Sequence, residues 1–170
     1  MRILAIDPGP TYSAWVIYDT EKNKPIRADI WSNENLIVTI DGAVKSLAGC
    51  GYMVIEMPQS FGMPVGASVF DTCVWIGRFW QAFYSSYSVF QVFRKDIKLH
   101  LCGTSRAKDA NVRAALIDRY GGSRQAAVGT KKNPGPLYGF KRDMWAALAV
   151  AVCFSETIVK EMADEKNDKN

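Results

Sequence analysis

The apolar positions of this chain change period along its length, and the changes mark out its elements. Ile3-Leu4-Ala5-Ile6 is an unbroken apolar run, and Tyr12, Ala14, Val16 and Tyr18, with Trp15 and Ile17 between them, form a second. With the segment that follows, they predict strands over 2–7, 12–19 and about 25–31. Leu36, Ile37, Ile40, Val44 and Leu47 recur at helical spacing and predict a helix from Leu36 to Leu47, after which residues 52–56 predict a fourth strand. Pro58, Gly62, Pro64 and Gly66 mark an irregular loop. Val69, Cys73, Ile76, Trp80 and Phe83 then place a long buried helix over 67–85, and a fifth strand follows at 88–93. A helix over Lys108 to Tyr120 carries Val112, Ala115, Leu116 and Tyr120 on one face and stops at Gly121-Gly122. Residues 121–140, rich in Gly and Pro and poor in apolar side chains, read as a mobile surface loop. The final helix begins near Lys141, and Ala163 to Asn170 form a polar tail expected to be disordered. No internal repeat is present, and 170 residues suit one domain, here 1–160 with a tail at 161–170.

Three acids interrupt this pattern at the ends of core elements. Asp7 closes the first strand and runs directly into Pro8-Gly9-Pro10, a turn that cannot continue it, so its carboxylate is aimed out of the sheet at one end of a β-hairpin. Glu56 closes the fourth strand before Met57-Pro58, and Asp143 opens the most apolar segment of the chain, Met144 to Phe154. Each has an ordinary explanation alone: Asp before Pro-Gly forms turns, and an acid in the first turn of a helix complements its dipole. Glu is rarely buried without a partner. Isolated carboxylates at three element ends are the oxygen ligands that a hard divalent cation such as Mg²⁺ takes, with Mn²⁺ able to substitute.

Composition removes several alternatives. No apolar stretch approaches the length of a membrane-spanning helix, and Met1-Arg2 enters the first strand without a signal-peptide pattern, so a cytoplasmic protein with no membrane partner is expected. Cys50, Cys73, Cys102 and Cys153 are widely spaced without a Cys-x-x-Cys pair and read as reduced thiols. His100 is the only histidine, which argues against Ser-His-Asp chemistry and most zinc sites. The net charge of +4 hides an asymmetry: Arg94 to Arg142 holds 12 Lys and Arg against three acids, and the remainder of the chain carries −5. Such a segment is the electrostatic footprint of a phosphate-binding surface.

Four blocks resemble the RuvC family of Holliday-junction resolvases: Ile6-Asp7-Pro8-Gly9, Val54-Ile55-Glu56, Arg94-Lys95-Asp96-Ile97-Lys98 with Gly103 and Lys108 ahead of a helix, and Asp143 followed by Ala146-Ala147-Leu148-Ala149. Their order and spacing agree with that family to about residue 155, and their divergence suggests a phage or prophage member. The resemblance implies an RNase H-like α/β fold, a central mixed five-stranded sheet flanked by helices. It also implies a homodimeric endodeoxyribonuclease that nicks four-way junctions and other branched DNA in pairs. In such an enzyme Asp7 bridges two Mg²⁺ ions about 4 Å apart, with Glu56 and Asp143 completing one ion each. Three converging carboxylates repel, so raised pKa values are expected in the absence of metal.

The resemblance further implies DNA-backbone contacts for Lys98 and Lys108, with Arg94, Lys95 and Arg106 as neighbours. It assigns a base-unstacking role to an apolar residue after the Glu strand, for which Phe61 is the candidate, with core packing as its alternative. Phe70, Trp75, Phe79 and Tyr84 give the helix over 67–85 more apolar faces than one sheet covers, as a dimer helix requires. One departure stands out: the family's fourth acid, one turn after Asp143, is replaced by Ala146, with Asp71 and Asp109 as possible compensating acids. An RNase H-type or general branched-DNA nuclease keeps the same fold with another substrate. A catalytically weak junction-binding protein is the reading that Ala146 motivates.

Overall fold

β1 (Arg2–Asp7) is buried on both faces, and this makes it the middle of the molecule. The computed structural model describes residues 1–41, 49–60, 62, 64–83 and 88–159. β1 pairs antiparallel with β2 (Tyr12–Asp19), which pairs antiparallel with β3 (Lys24–Ser32). On its other edge β1 pairs parallel with β4 (Cys50–Met57), and β4 parallel with β5 (Val89–Phe93), giving a five-stranded mixed sheet in the order β3-β2-β1-β4-β5. The strands fall where the apolar runs predict them.

Strand alternation sorts the core into two layers. Ile3 and Ala5 point with Val16, Val54 and Val92 toward α3 (Arg94–Cys102), α4 (Asp109–Arg119) and α6 (Met144–Glu156). Leu4 and Ile6 point with Trp15, Met53 and Ile55 toward α1 (Asn33–Asp41) and α2 (Ala67–Ala82). The result is a helix–sheet–helix sandwich. Within α6, Ala146 alone among residues 144–155 is not fully buried. A helix apolar on all sides is a buried helix, and this one crosses β1 and β2.

Several expectations are corrected. The helix after β3 starts at Asn33, three residues before the first apolar position of the pattern, with Leu36 and Ile40 buried; the part of that pattern carrying Val44 and Leu47 lies outside the described residues. On α2 the buried stripe is Thr72, Ile76 and Phe79, continued by Phe83, whereas Val69, Cys73 and Trp80 are only half-buried. Phe79, expected on an outward face, is therefore core; Tyr84 lies outside the described residues. The helix α3 was hidden by its charge, because only Ile97 and Leu101 of its nine residues are buried. Its end is set by Gly103, whose left-handed backbone lets its N–H close on the Leu99 carbonyl. The final helix begins at Met144 with Asp143 as its N-cap, later than Lys141.

The segment 121–140 is not a bare surface loop. It contains α5 (Arg124–Ala127), and Ala127 and Leu137 are fully buried against α6 and the sheet face that it covers. Hydrogen bonds from the Gly135 and Leu137 amides to the Val128 and Ala127 carbonyls fold the segment back on itself. Two apolar anchors were enough, and a count of apolar residues missed them. The polar tail at 161–170 lies outside the described residues.

Because Leu148 is fully buried in α6, Leu148→Ala should lower stability by about 2–5 kcal/mol through lost burial and the cavity left behind. Val38→Ala, at a largely exposed position of α1, should change it by less than about 0.5 kcal/mol. Urea unfolding of the two variants checks the contrast.

Candidate functional site

Strand pairing brings the first two acids together. Ile6 pairs with Ile55 across the parallel β1–β4 ladder, so Asp7 and Glu56 are the next residues on neighbouring strands, which run about 4.8 Å apart. Both follow the face of Ile3, Ala5 and Val54, the face covered by α6. The third acid arrives from that helix. Arg142 adopts a left-handed backbone with φ of 45°, a conformation that costs free energy for a residue with a side chain, and the turn it makes sets Asp143 at the N-terminus of α6. The Asp143 side chain makes no capping hydrogen bond and is exposed.

A polar network holds the turn after Asp7. The Gly9 amide donates to Ser13 Oγ at 3.3 Å, Ser13 Oγ donates to Asn33 Oδ1 at 2.7 Å, and Asn33 Nδ2 donates to the Gly9 carbonyl at 2.9 Å. Ser13 and Asn33 are buried and satisfied by these bonds. A Cβ on Gly9 would stand 2.4 Å from the Tyr12 carbonyl oxygen, so only glycine fits so tight a turn. The sequence reading missed Ser13 and Asn33. Their signal was a Ser inside an apolar strand and an Asn at a strand-to-helix junction.

Asp7 is the electrostatic centre of the site. It accepts no hydrogen bond among the described residues, and its pKa is pushed up to about 8, first by burial and then by the Glu56 charge; Arg94 opposes the rise, while Asp143 and Asp109 add to it. The expected repulsion among converging carboxylates is thus present at Asp7. Glu56 is buried and paired: Arg94 Nη1 donates to its two carboxylate oxygens at 2.9 and 3.2 Å. Arg94 Nη2 donates to Asp109 Oδ1 at 2.9 Å, and Lys98 Nζ lies 3.6 Å from the same oxygen. Burial disfavours the Arg94 cation, but the Glu56 and Asp109 carboxylates outweigh it and raise its pKa.

Of the two acids weighed as compensation for Ala146, the structure brings in Asp109, which touches Arg94 and acts on Asp7, and places Asp71 on the exposed side of α2. Arg94, read from sequence as a DNA contact, has its guanidinium turned to carboxylates of its own chain. Lys98 is half-buried beside Asp109, while Lys95, Arg106 and Lys108 are exposed. Arg106, Lys108 and Asn111 line a surface cleft of about 480 Å³, and the Lys108 amide donates to Asn111 Oδ1 at 2.9 Å. A second cleft, about 550 Å³, opens beside Asp143 between Tyr12, Asp29, Lys141 and Arg142. Phe61 lies outside the described residues.

The donors at the site are all carboxylate oxygens, and Asp7 forms no direct ion pair among the described residues, which fits a hard divalent cation. Among the described residues no three ligating side chains are already gathered at ion-holding distance, and Arg94 is paired with Glu56.

Similarity to solved structures bears on this arrangement. The chain superposes on the Thermus thermophilus RuvC structure with a TM-score of 0.63, at 15% identity, over 91% of this chain and 93% of that one. The chain has the RuvC fold. The same values hold for T. thermophilus RuvC in complex with Holliday junction substrate. Fowlpox virus resolvase in complex with substrate Holliday junction DNA gives a TM-score of 0.53 at 17% identity, covering 93% of this chain and 99% of that one. No protein-family model matches the sequence, and no curated protein does. The mixed sheet and flanking helices expected from the sequence are those of this RuvC-type, RNase H-like architecture.

The raised Asp7 pKa has a measurable consequence without metal. The folded chain keeps a proton on Asp7 up to about pH 8, whereas the unfolded chain releases it near 3.8, so this residue makes the fold less stable as pH rises between those values. Asp7→Asn should therefore raise the melting temperature, by an amount that grows between about pH 5 and pH 8 by roughly 3 °C or more, the effect of about 1 kcal/mol in a chain of this size. Melts of both proteins in chelator check it; a difference that does not grow with pH contradicts the assignment.

Proposed function

We propose that this protein is a metal-dependent endodeoxyribonuclease that resolves Holliday junctions, and other branched DNA, by paired nicks. The observation that supports the reading is that Glu56 and Asp143 both act electrostatically on Asp7 at one end of a RuvC-type sheet, where Asp7 forms no ion pair among the described residues. Divalent cations held by these carboxylates, Mg²⁺ or Mn²⁺, would supply an activated water and stabilise the leaving oxygen. The chain's own residues do the rest. Asp7 binds from a turn locked by Asn33 and Ser13, so its carboxylate is positioned before substrate arrives. Its proton is released as positive charge binds, which makes the site more competent toward alkaline pH.

Lys108 and Arg106, exposed ahead of α4, and Lys95 and Lys98 on α3 hold the DNA backbone, contacts that set register and carry no base sequence. Paired nicks call for two copies of the site. Phe70 and Val74, 61% and 63% exposed on the outer face of α2, give the homodimer an apolar surface to bury. Among the described residues no helix is long and apolar enough to cross a membrane. Such a protein would work on DNA in the cytoplasm.

Incubation with labelled four-way junction, flap, duplex and RNA–DNA hybrid, each with Mg²⁺, Mn²⁺ or chelator, tests the proposal. Symmetric cleavage of the junction with metal supports it. Cleavage of hybrid in preference to junction would transfer the fold to an RNase H-type activity, and tight junction binding without cleavage would leave a binding protein. Asp7→Asn and Glu56→Gln should each abolish cleavage while junction affinity is kept or rises, because a ligand is lost and negative charge beside phosphate is removed. Full nicking by either variant would end the metal-site reading.

Lys108→Ala should weaken binding to junctions of any sequence and lower the slope of log affinity against log salt by about one unit, the loss of one phosphate contact. Binding measured across a salt series decides it. An unchanged slope places Lys108 away from DNA.

A further inference from the structure

Glu56 is a buried carboxylate at the end of a central strand, and a carboxylate there needs positive charge from some source. The chain supplies its own. Val92 pairs with Glu56 across the β4–β5 ladder, so Arg94, two residues further on in the first turn of α3, stands beside the same strand end. Its guanidinium forks: one nitrogen covers both Glu56 oxygens, and the other is bound to Asp109. Both oxygens that Glu56 could offer to an ion are therefore engaged. The two halves of the fork differ in exposure, since the Glu56 side chain is 11% exposed and that of Asp109 is 72% exposed. An exposed ion pair is weakly held in water, whereas the buried one is where charge matters most.

We propose that Arg94 is an internal cation that competes with the divalent metal for Glu56. In the metal-free protein it neutralises Glu56 and limits the repulsion felt by Asp7. When a metal binds, the guanidinium leaves Glu56 and turns toward solvent, with Asp109 still beside it. Its side chain is 42% exposed, so the freed nitrogens can reach a substrate phosphate, for which the planar fork of Arg is well shaped. Arg94 is thus a positioning residue that withholds a ligand until metal and substrate arrive, and this rests on the proposed metal-dependent reading of the site.

Mn²⁺ binding to the full chain without DNA, followed by electron paramagnetic resonance, tests the competition directly. Arg94→Met and Arg94→Gln remove the charge with two different side chains, and circular dichroism reports whether each is folded. Both should bind Mn²⁺ at least about fivefold more tightly than the unaltered protein, the low end of ordinary coupling between two binding events. Glu56→Gln should bind it more weakly. Lys98→Met removes a cation that pairs with Asp109 and makes no contact with Glu56, and it should alter the affinity less than about twofold.

If both Arg94 variants are folded and bind Mn²⁺ no more tightly, while Glu56→Gln still weakens binding, the competition is wrong and the metal site stands. If Lys98→Met tightens binding as much as Arg94→Met, the effect is general electrostatics, and the specific role of Arg94 is overturned. If neither Asp7→Asn nor Glu56→Gln alters Mn²⁺ binding, the metal-dependent reading itself fails and takes this inference with it.

Discussion

Parallel pairing of β1 with β4 sets two carboxylates side by side at the end of the sheet, and the surrounding structure is organised around that placement. Ile6 against Ile55 fixes the register, and a slip of one strand by one residue would put Asp7 and Glu56 on opposite faces of the sheet. The register is held by the burial of Ile3, Leu4, Ala5 and Ile6 on both sides of β1, so the core that stabilises the fold also aligns the acids. Two like charges in that position oppose folding. The protein answers the problem twice: Asp7 takes a proton, and Glu56 takes Arg94.

The helices differ in what they contribute to this end of the sheet. α6 is apolar almost throughout and brings a single charge, Asp143, at its N-terminus, where the left-handed turn at Arg142 introduces it. α3 is nearly the reverse, with two buried residues and a basic surface, and it delivers Arg94 and Lys98 to the same region. α4 adds Asp109 from its first turn. One side of the sheet thus gathers acids and bases from five elements, while the other side, under α1 and α2, carries the apolar surface at Phe70 and Val74.

A second network lies away from the acids and ties the same helices together. Glu156 near the end of α6 accepts from Arg119 Nη2 at 2.8 Å and contacts His100 Nε2 at 2.7 Å, joining α6 to α4 and α3. The bond from Arg119, then that from His100, holds the Glu156 carboxyl below its ordinary pKa range against partial burial. Tyr120 at the end of α4 donates to Tyr18 Oη of β2 at 3.0 Å. The lone histidine is used here as a structural link between α3 and α6.

Local pattern was enough for the strands and for the placement of Asp7, Glu56 and Asp143 at the ends of core elements, because each acid breaks an apolar run and burial of such runs is a short-range property of sequence. It failed where few residues do the packing: α3 is held by Ile97 and Leu101, and the segment 121–140 by Ala127 and Leu137, too few to give a period. It also rotated the buried face of α2, since aromatic residues satisfy several helical stripes at once and only the partner surface chooses Phe79 over Trp80. The sequence counted Arg94 among the phosphate-binding cations and left Asp71 and Asp109 equal. Tertiary structure shows which carboxylates Arg94 meets, because the β4–β5 pairing puts it next to Glu56 and the packing of α4 on α3 puts Asp109 within reach of its other nitrogen. Charge alone marks a residue as polar; which opposite charge it meets is fixed only when separate elements dock.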